Sequence, residues 1–159
     1  MQKLLMALML MVPLLAPVAV AQSDAERAVA SVLDDFHDAA SKADGTRYFG
    51  LFAENGVFLG TDATERWTVE AFQAYAKPYF DQGRGWTYTP TSRHIYIAPD
   101  GQTAWFDEML MNANFGECRG TGVLVREGDA WKVAQYHLTV PVPNALLREV
   151  VGMIRGENH

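Results

Sequence analysis

Trp105-Phe106-Asp107-Glu108-Met109-Leu110-Met111, then Cys118-Arg119-Gly120-Thr121-Gly122-Val123-Leu124, then Trp131-Lys132-Val133-Ala134-Gln135-Tyr136-His137-Leu138-Thr139: the later part of the chain reads as three strands in succession. Each follows the two-residue period of a half-buried strand. Alternate positions set Trp105, Asp107, Arg119, Gln135 and His137 among apolar residues. A sheet normally turns such groups to water, so several of them on an otherwise apolar face suggest the wall of a pocket.

Strand parity refines this. Trp131, Val133, Gln135, His137 and Thr139 share one face of the last strand, and Lys132 lies on the other. A Glu127-Gly128-Asp129 turn would pair Arg126 with Ala130, and so set Val125 opposite Trp131, Thr121 opposite Gln135 and Arg119 opposite His137. The first strand adds Trp105, Asp107, Met109 and Met111 on one face, with Phe106 and Glu108 on the other. Parity leaves open which face is concave. Asp107 and His137 stand two strands apart, roughly 9 to 10 Å across the sheet. A direct dyad is therefore not expected, and Arg119 between them is expected to pair with Asp107. His137 is the candidate acid/base group, because histidine as a residue type changes charge near neutrality, and Asp107 is the second candidate.

Upstream the chain is helical first. Val29, Val32, Leu33, Phe36 and Ala40 form the apolar stripe of a helix from Ser23 or Asp24 to about Ala43, with Asp24 and Glu26 suited to its start and Asp44-Gly45 to its end. Thr46 is a candidate N-cap for a short second helix carrying Tyr48, Phe49, Leu51 and Phe52, closed by Asn55-Gly56. Val57–Gly60 and Glu65–Thr68 read as two short strands around a Thr61–Thr64 turn. A third helix begins near Val69 with Phe72, Tyr75, Ala76, Tyr79 and Phe80 on one side, and Pro78 inside it would kink or end it. Ser92–Ala98 alternates as a strand, and Pro99-Asp100-Gly101 turns the chain into the long strands. After Pro141 and Pro143, Asn144 is a candidate cap for a last helix whose stripe is Leu146, Leu147, Val150, Val151 and Ile154. Helices followed by a long antiparallel meander give an α+β class, with helices on one side of a curved sheet.

Residues 1–21 have the layout of a secretory signal peptide. Lys3 precedes an apolar run from Leu4 to Leu15, broken by Pro13, and Ala19-Val20-Ala21 stands before Gln22. A membrane span would need roughly 20 apolar residues, and here prolines and small residues intervene. Removing 21 of 159 residues leaves 138, the size of one domain, expected to be exported and free of the membrane. The net charge is −6, becoming −7 without Lys3, and no basic run is present, so neither nucleic acid nor an anionic membrane surface is an expected partner. Cys118 is the only cysteine, so no intramolecular disulfide can form, and the side chain reads as a small buried group.

The remaining polar residues define what the pocket could hold. Asp62 in its turn is expected to cap its own backbone, and Arg66 and Arg93 could pair with Asp62 or Glu65. Trp67, Trp86, Trp105 and Trp131 could wall a cavity or pack the core. His37 lies beside the stripe of the first helix, and His94 next to the inward positions of its strand. No His-x-His or His-x-x-x-His pair occurs, so no metal site is expected, and no nucleophile motif, phosphate loop or dinucleotide fingerprint indicates a cofactor. Gly120-Thr121-Gly122 lies inside a strand, where glycines permit bending and close approach.

The runs from Gly60 to Trp67, Ala76 to Phe80, Trp105 to Glu108, Cys118 to Leu124 and Trp131 to Thr139, closing with Pro143-Asn144, resemble the SnoaL-like branch of the nuclear transport factor 2-like superfamily over about Ala28 to Ile154. The resemblance implies a cone-shaped α+β barrel. Three helices of the N-terminal half pack on a strongly curved antiparallel sheet, a cavity opens at the wide end, and a short C-terminal helix is added. It also implies a choice among functions, since the superfamily includes cyclases, isomerases, dehydratases and members that only bind or pair. The preferred expectation is an exported protein that binds a small, largely apolar molecule through Trp67, Trp105, Asp107, Arg119, Thr121, Gln135 and His137. The alternative is a cofactor-independent isomerase, cyclase or dehydratase using His137 or Asp107 as general base. A homodimer is the third option, with the cone filled by side chains.

Overall fold

A computed structural model describes residues 22–156; the leader expected at residues 1–21 lies outside them. Helix α1 (Asp24–Ser41) starts in a capping box, Ser23 accepting from the Glu26 amide and Glu26 reaching back to the Ser23 amide. It buries Val29, Leu33, Phe36 and Ala40, the stripe read from the sequence, and His37 on the same side. Helix α2 (Gly45–Gly50) is capped by Asp44, whose carboxylate accepts from the Arg47 amide at 3.1 Å. The expected Thr46 cap and Asn55-Gly56 stop are therefore corrected. Strand β1 (Phe52–Leu59) contains Asn55 and Gly56, where its pairing shifts register. A Cβ on Gly56 would lie 3.0 Å from the carbonyl oxygens of Ala53 and Val133, so this glycine serves a close backbone approach rather than a helix end.

Strand β2 (Arg66–Thr68) pairs with β1, and Thr68 caps helix α3 (Val69–Phe80), which carries Pro78 in its last turn. Strands β3 (Thr89–Ile97), β4 (Thr103–Asn112), β5 (Gly116–Glu127) and β6 (Ala130–Thr139) form the meander. The sheet order is β2-β1-β6-β5-β4-β3. Every pair is antiparallel except β1–β6, which is parallel. The sheet is thus mixed rather than purely antiparallel, and it stays open, with β2 and β3 as its edges. The parallel pair arises because β1 joins the strand made last, with α3 and the meander as the crossover between them. Helices α1 and α3 pack on the concave side against β3, β6 and β1.

The β5–β6 register also departs from expectation. Glu127 pairs with Ala130 across a two-residue Gly128-Asp129 turn, with Gly128 at φ 62°. Between Leu124↔Val133 and Val123↔Gln135, Ala134 is an extra residue, a β-bulge. Trp131 and Val133 before the bulge, and Tyr136 and Leu138 after it, all face the core. Gly122 lets β5 run close beneath this bend, since a Cβ there would sit 2.2 Å from the Gln135 carbonyl.

Helix α4 (Leu147–Arg155) follows the prolines; its N-cap position is Leu146, without a side-chain cap, so Asn144 is not the cap. Leu146, Leu147, Met153 and Ile154 remain exposed, so the expected stripe forms but is largely uncovered. No helix among the described residues is long and apolar enough to cross a membrane.

Candidate functional site

Between the concave sheet and the helices lies a cavity of about 450 Å³, a size that suits a small organic molecule. Its walls are mostly rings. Phe58 stacks on Phe72 at 4.2 Å between centroids, Phe36 on Tyr136 at 4.9 Å, and Trp67 on Tyr75 at 5.2 Å. Trp86 leans on Phe80 at 4.7 Å and lines the cavity beside Tyr88, whose hydroxyl is pushed up to about 12, first by burial.

His37 is the polar residue that α1 delivers to this wall, and its anchor lies on β4. Glu108, 1 % exposed, receives three donors. His37 Nε2 stands 2.7 Å from Oε1, Tyr136 donates to the same oxygen at 2.9 Å, and Arg93 Nε donates to Oε2 at 2.7 Å. Arg93 also donates from Nη1 to Asp34 at 2.7 Å and to the Ala30 carbonyl at 3.3 Å, which ties β3 to α1. Burial pushes the Glu108 carboxyl up, but the hydrogen bond and charge of His37 and the Arg93 guanidinium outweigh it and hold the group below its ordinary 4.5. Burial, then the Glu108 charge, pushes the Tyr136 hydroxyl well above the usual phenol range and keeps it a donor.

His37 thus turns Nε2 to the Glu108 carboxylate, which as an ionised group can only accept. Nδ1 makes no hydrogen bond among the described residues. Tyr48 also lines the cavity; its side chain is fully buried, and its hydroxyl, sealed from solvent beside the Trp86 indole, has no partner at full hydrogen-bond geometry. Burial pushes that hydroxyl far up, with the Trp86 indole acting weakly in the opposite direction, so it remains a protonated donor. His37 thus adds a polar ring to an otherwise largely aromatic pocket, which suits a ligand carrying a polar group.

Glycine makes room for this cluster. A Cβ on Gly120 would lie 2.3 Å from the Tyr136 hydroxyl oxygen and 2.9 Å from Glu108 Oε1, which is the close approach expected of the Gly120-Thr121-Gly122 run. Asp62 accepts from the Thr64 amide at 2.8 Å, capping its own turn as expected.

Of the seven residues expected to hold a ligand, Trp67 alone lines the cavity. Trp105, Asp107, Arg119, Thr121, Gln135 and His137 occupy the outer face of the sheet, opposite Phe106, Glu108, Gly120 and Tyr136. Asp107 meets His94 at 3.2 Å rather than Arg119, and Arg119 pairs in register with Thr139 rather than His137. Arg93 pairs with Glu108 and Asp34 instead of Asp62 or Glu65. The cause of the inversion is physical. Both parities of β4 carry large apolar side chains, and in β6 the Ala134 bulge breaks the count from Trp131, so His137 was assigned to the face that Tyr136 occupies. The missed signal is Glu108 itself, a lone acid in the series Ala104, Phe106, Glu108, Leu110.

The architecture defines an α+β cone with helices on the concave side of a curved sheet. The sequence profile of the SnoaL-like domain matches residues 29–143, and the chain belongs to that family. A search of curated proteins returns no match. Among solved structures, a protein of unknown function from Pseudomonas putida with the nuclear transport factor 2-like fold is similar at 15% identity and TM-score 0.64, over 76% of this chain and 89% of that one. An uncharacterized Caulobacter vibrioides protein with a cystatin-like fold is similar at 14% identity and TM-score 0.64, over 84% and 99%. A candidate scytalone dehydratase from Novosphingobium aromaticivorans is similar at 12% identity and TM-score 0.61, over 73% and 83%. These likenesses carry the fold.

Proposed function

We propose that this protein binds a small, flat, largely apolar molecule in the cone, with an inner polar group turned to His37. The supporting observation is the 450 Å³ cavity, walled by rings and lined on one side by His37, whose Nδ1 has no hydrogen bond among the described residues. Export belongs to the same proposal, on the strength of the leader-like residues 1–21. So does a homodimer formed through the outer sheet face, where Tyr96 and Trp105 stack at 5.6 Å and both are exposed. Native mass spectrometry of protein purified from its own host tests all three. The expected spectrum shows a chain starting at Gln22, a mass of two copies, and a retained small molecule; an empty chain keeping residues 1–21 would refute binding and export together.

A second reading is favoured by the way the buried Glu108 carboxylate holds His37 at Nε2. A histidine whose Nε2 is held by a buried carboxylate is positioned to act as a general base at Nδ1. That is the chemistry of a cofactor-independent isomerase or dehydratase, and the likeness to a candidate scytalone dehydratase shows that a protein so described shares the cone. His37→Gln keeps a donor for Glu108 and removes the base. If the protein is an enzyme, this change is expected to lower turnover of a carbonyl substrate about a hundredfold or more. If it is a binder, affinity falls and no turnover exists in the unmutated protein.

A further inference from the structure

Arg84 stands where the cavity meets solvent. It lines the cavity and is exposed, and its guanidinium lies over the Tyr79 ring, 5.2 Å from the centroid. Its backbone is pinned on both sides: the Gly83 amide donates to Phe80 at 2.9 Å, the Arg84 amide to Tyr79 at 3.0 Å and the Trp86 amide to Ala40 at 3.2 Å. Gly85 is pressed so closely on α1 that a Cβ would lie 2.0 Å from the Ala40 carbonyl. The guanidinium is therefore carried by a fixed stretch of chain, braced on an aromatic face.

It is also uncompensated. Arg47 pairs with Asp35 and Asp38, and Arg93 with Asp34 and Glu108, but no carboxylate pairs with Arg84 among the described residues of a chain that carries six more acidic than basic groups. Glu65 also lines the cavity, and its charge contributes to raising the Tyr75 and Tyr88 hydroxyls there, but it does not pair with Arg84. Its Oε2 accepts from the Asp62 amide at 3.2 Å, and its side chain lies against Gly60, where a Cβ would meet it at 2.1 Å. The rim thus offers one unpaired planar cation beside a wall of rings.

We infer that Arg84 is a specificity-determining residue and that the ligand class is a flat aromatic carboxylate, its rings against Trp67, Phe72 and Trp86 and its carboxylate on the Arg84 guanidinium. This rests on the cavity being a small-molecule site, as proposed above. A guanidinium binds a carboxylate with two parallel hydrogen bonds, and its stack on Tyr79 limits the freedom lost on binding. Exposure to water reduces the gain, so the expected charge preference is about tenfold rather than a thousandfold.

The test uses naphthalene-2-carboxylate and naphthalene-2-carboxamide, which share rings and carbonyl and differ in charge. Binding is followed by quenching of tryptophan fluorescence, to which Trp67 and Trp86 contribute from the cavity wall. The carboxylate is expected to bind about tenfold tighter than the amide, and Arg84→Gln to abolish that difference. Equal affinities in the unmutated protein, or a preference that survives Arg84→Gln, overturns the inference and leaves the cavity reading standing. Failure of both compounds to bind overturns the cavity reading, and the assignment of Arg84 falls with it.

Discussion

Glu108→Ala is expected to destabilise the protein by about 3–5 kcal/mol, the range for removing one partner of a buried ion pair. The carboxylate is itself almost without exposure and serves three donors on α1, β3 and β6. Without it, Arg93 retains Asp34, but His37 and Tyr136 lose the acceptor that orders them. Chemical denaturation reads the loss as a lower midpoint at constant slope. Glu108→Gln, which keeps the shape and loses the charge, is expected to cost less and to expose the electrostatic share through pH. The Glu108 pKa is depressed in the folded state, so the unfolded chain takes up a proton first as pH falls. The stability it confers is therefore present above its ordinary 4.5 and is lost as pH drops through the folded value. Glu108→Gln should flatten that part of the acid limb, and an acid limb identical in the two proteins would mean that the carboxylate is not ionised in the fold.

Gly120→Ala is the second large effect, at about 2–3 kcal/mol by overpacking. The added methyl would fall 2.3 Å from the Tyr136 hydroxyl oxygen, which is fixed by its hydrogen bond to Glu108 and cannot swing away without breaking it. Tyr136→Phe removes the clashing oxygen, so the double variant should be more stable than the two separate losses predict, a coupling that a thermodynamic cycle measures. Gly50→Ala is the control, because nothing lies within 4 Å of its Cβ position. Strictly additive losses for Gly120→Ala and Tyr136→Phe would show that the two positions do not press on each other.

The elements built from local signals were legible in the sequence. The stripe of α1, the start of α3 at Val69 and the β3–β6 meander all stand where periodicity put them, because each buries one face and is bounded by caps or turns that nearby residues supply. What joins distant residues was not legible. The parallel β1–β6 pair depends on a crossover of the whole middle of the chain, and no local pattern marks it. Of the polar residues that strand parity groups together, the structure puts Asp107, Arg119, Gln135 and His137 on the face away from the cavity. Trp105, Asp107, Met109 and Met111 are as plausible a buried series as Ala104, Phe106, Glu108 and Leu110 until α1 supplies His37 and β3 supplies Arg93. His37 shows no partner at metal-ligand spacing in the sequence, and its carboxylate partner is 71 positions away.

Ala134 carries one further implication. Without it, Val133 and Gln135 would be neighbours, the pairing with Leu124 and Val123 would run unbroken, and Trp131, Val133, Tyr136 and Leu138 would alternate inward with no exception. The extra residue therefore does not choose which side chains enter the cone; it bends the strand that carries them. Shape and lining are written into β6 as separate instructions, so a lineage or a designer could widen or flatten this chamber by one codon and keep the same chemistry inside.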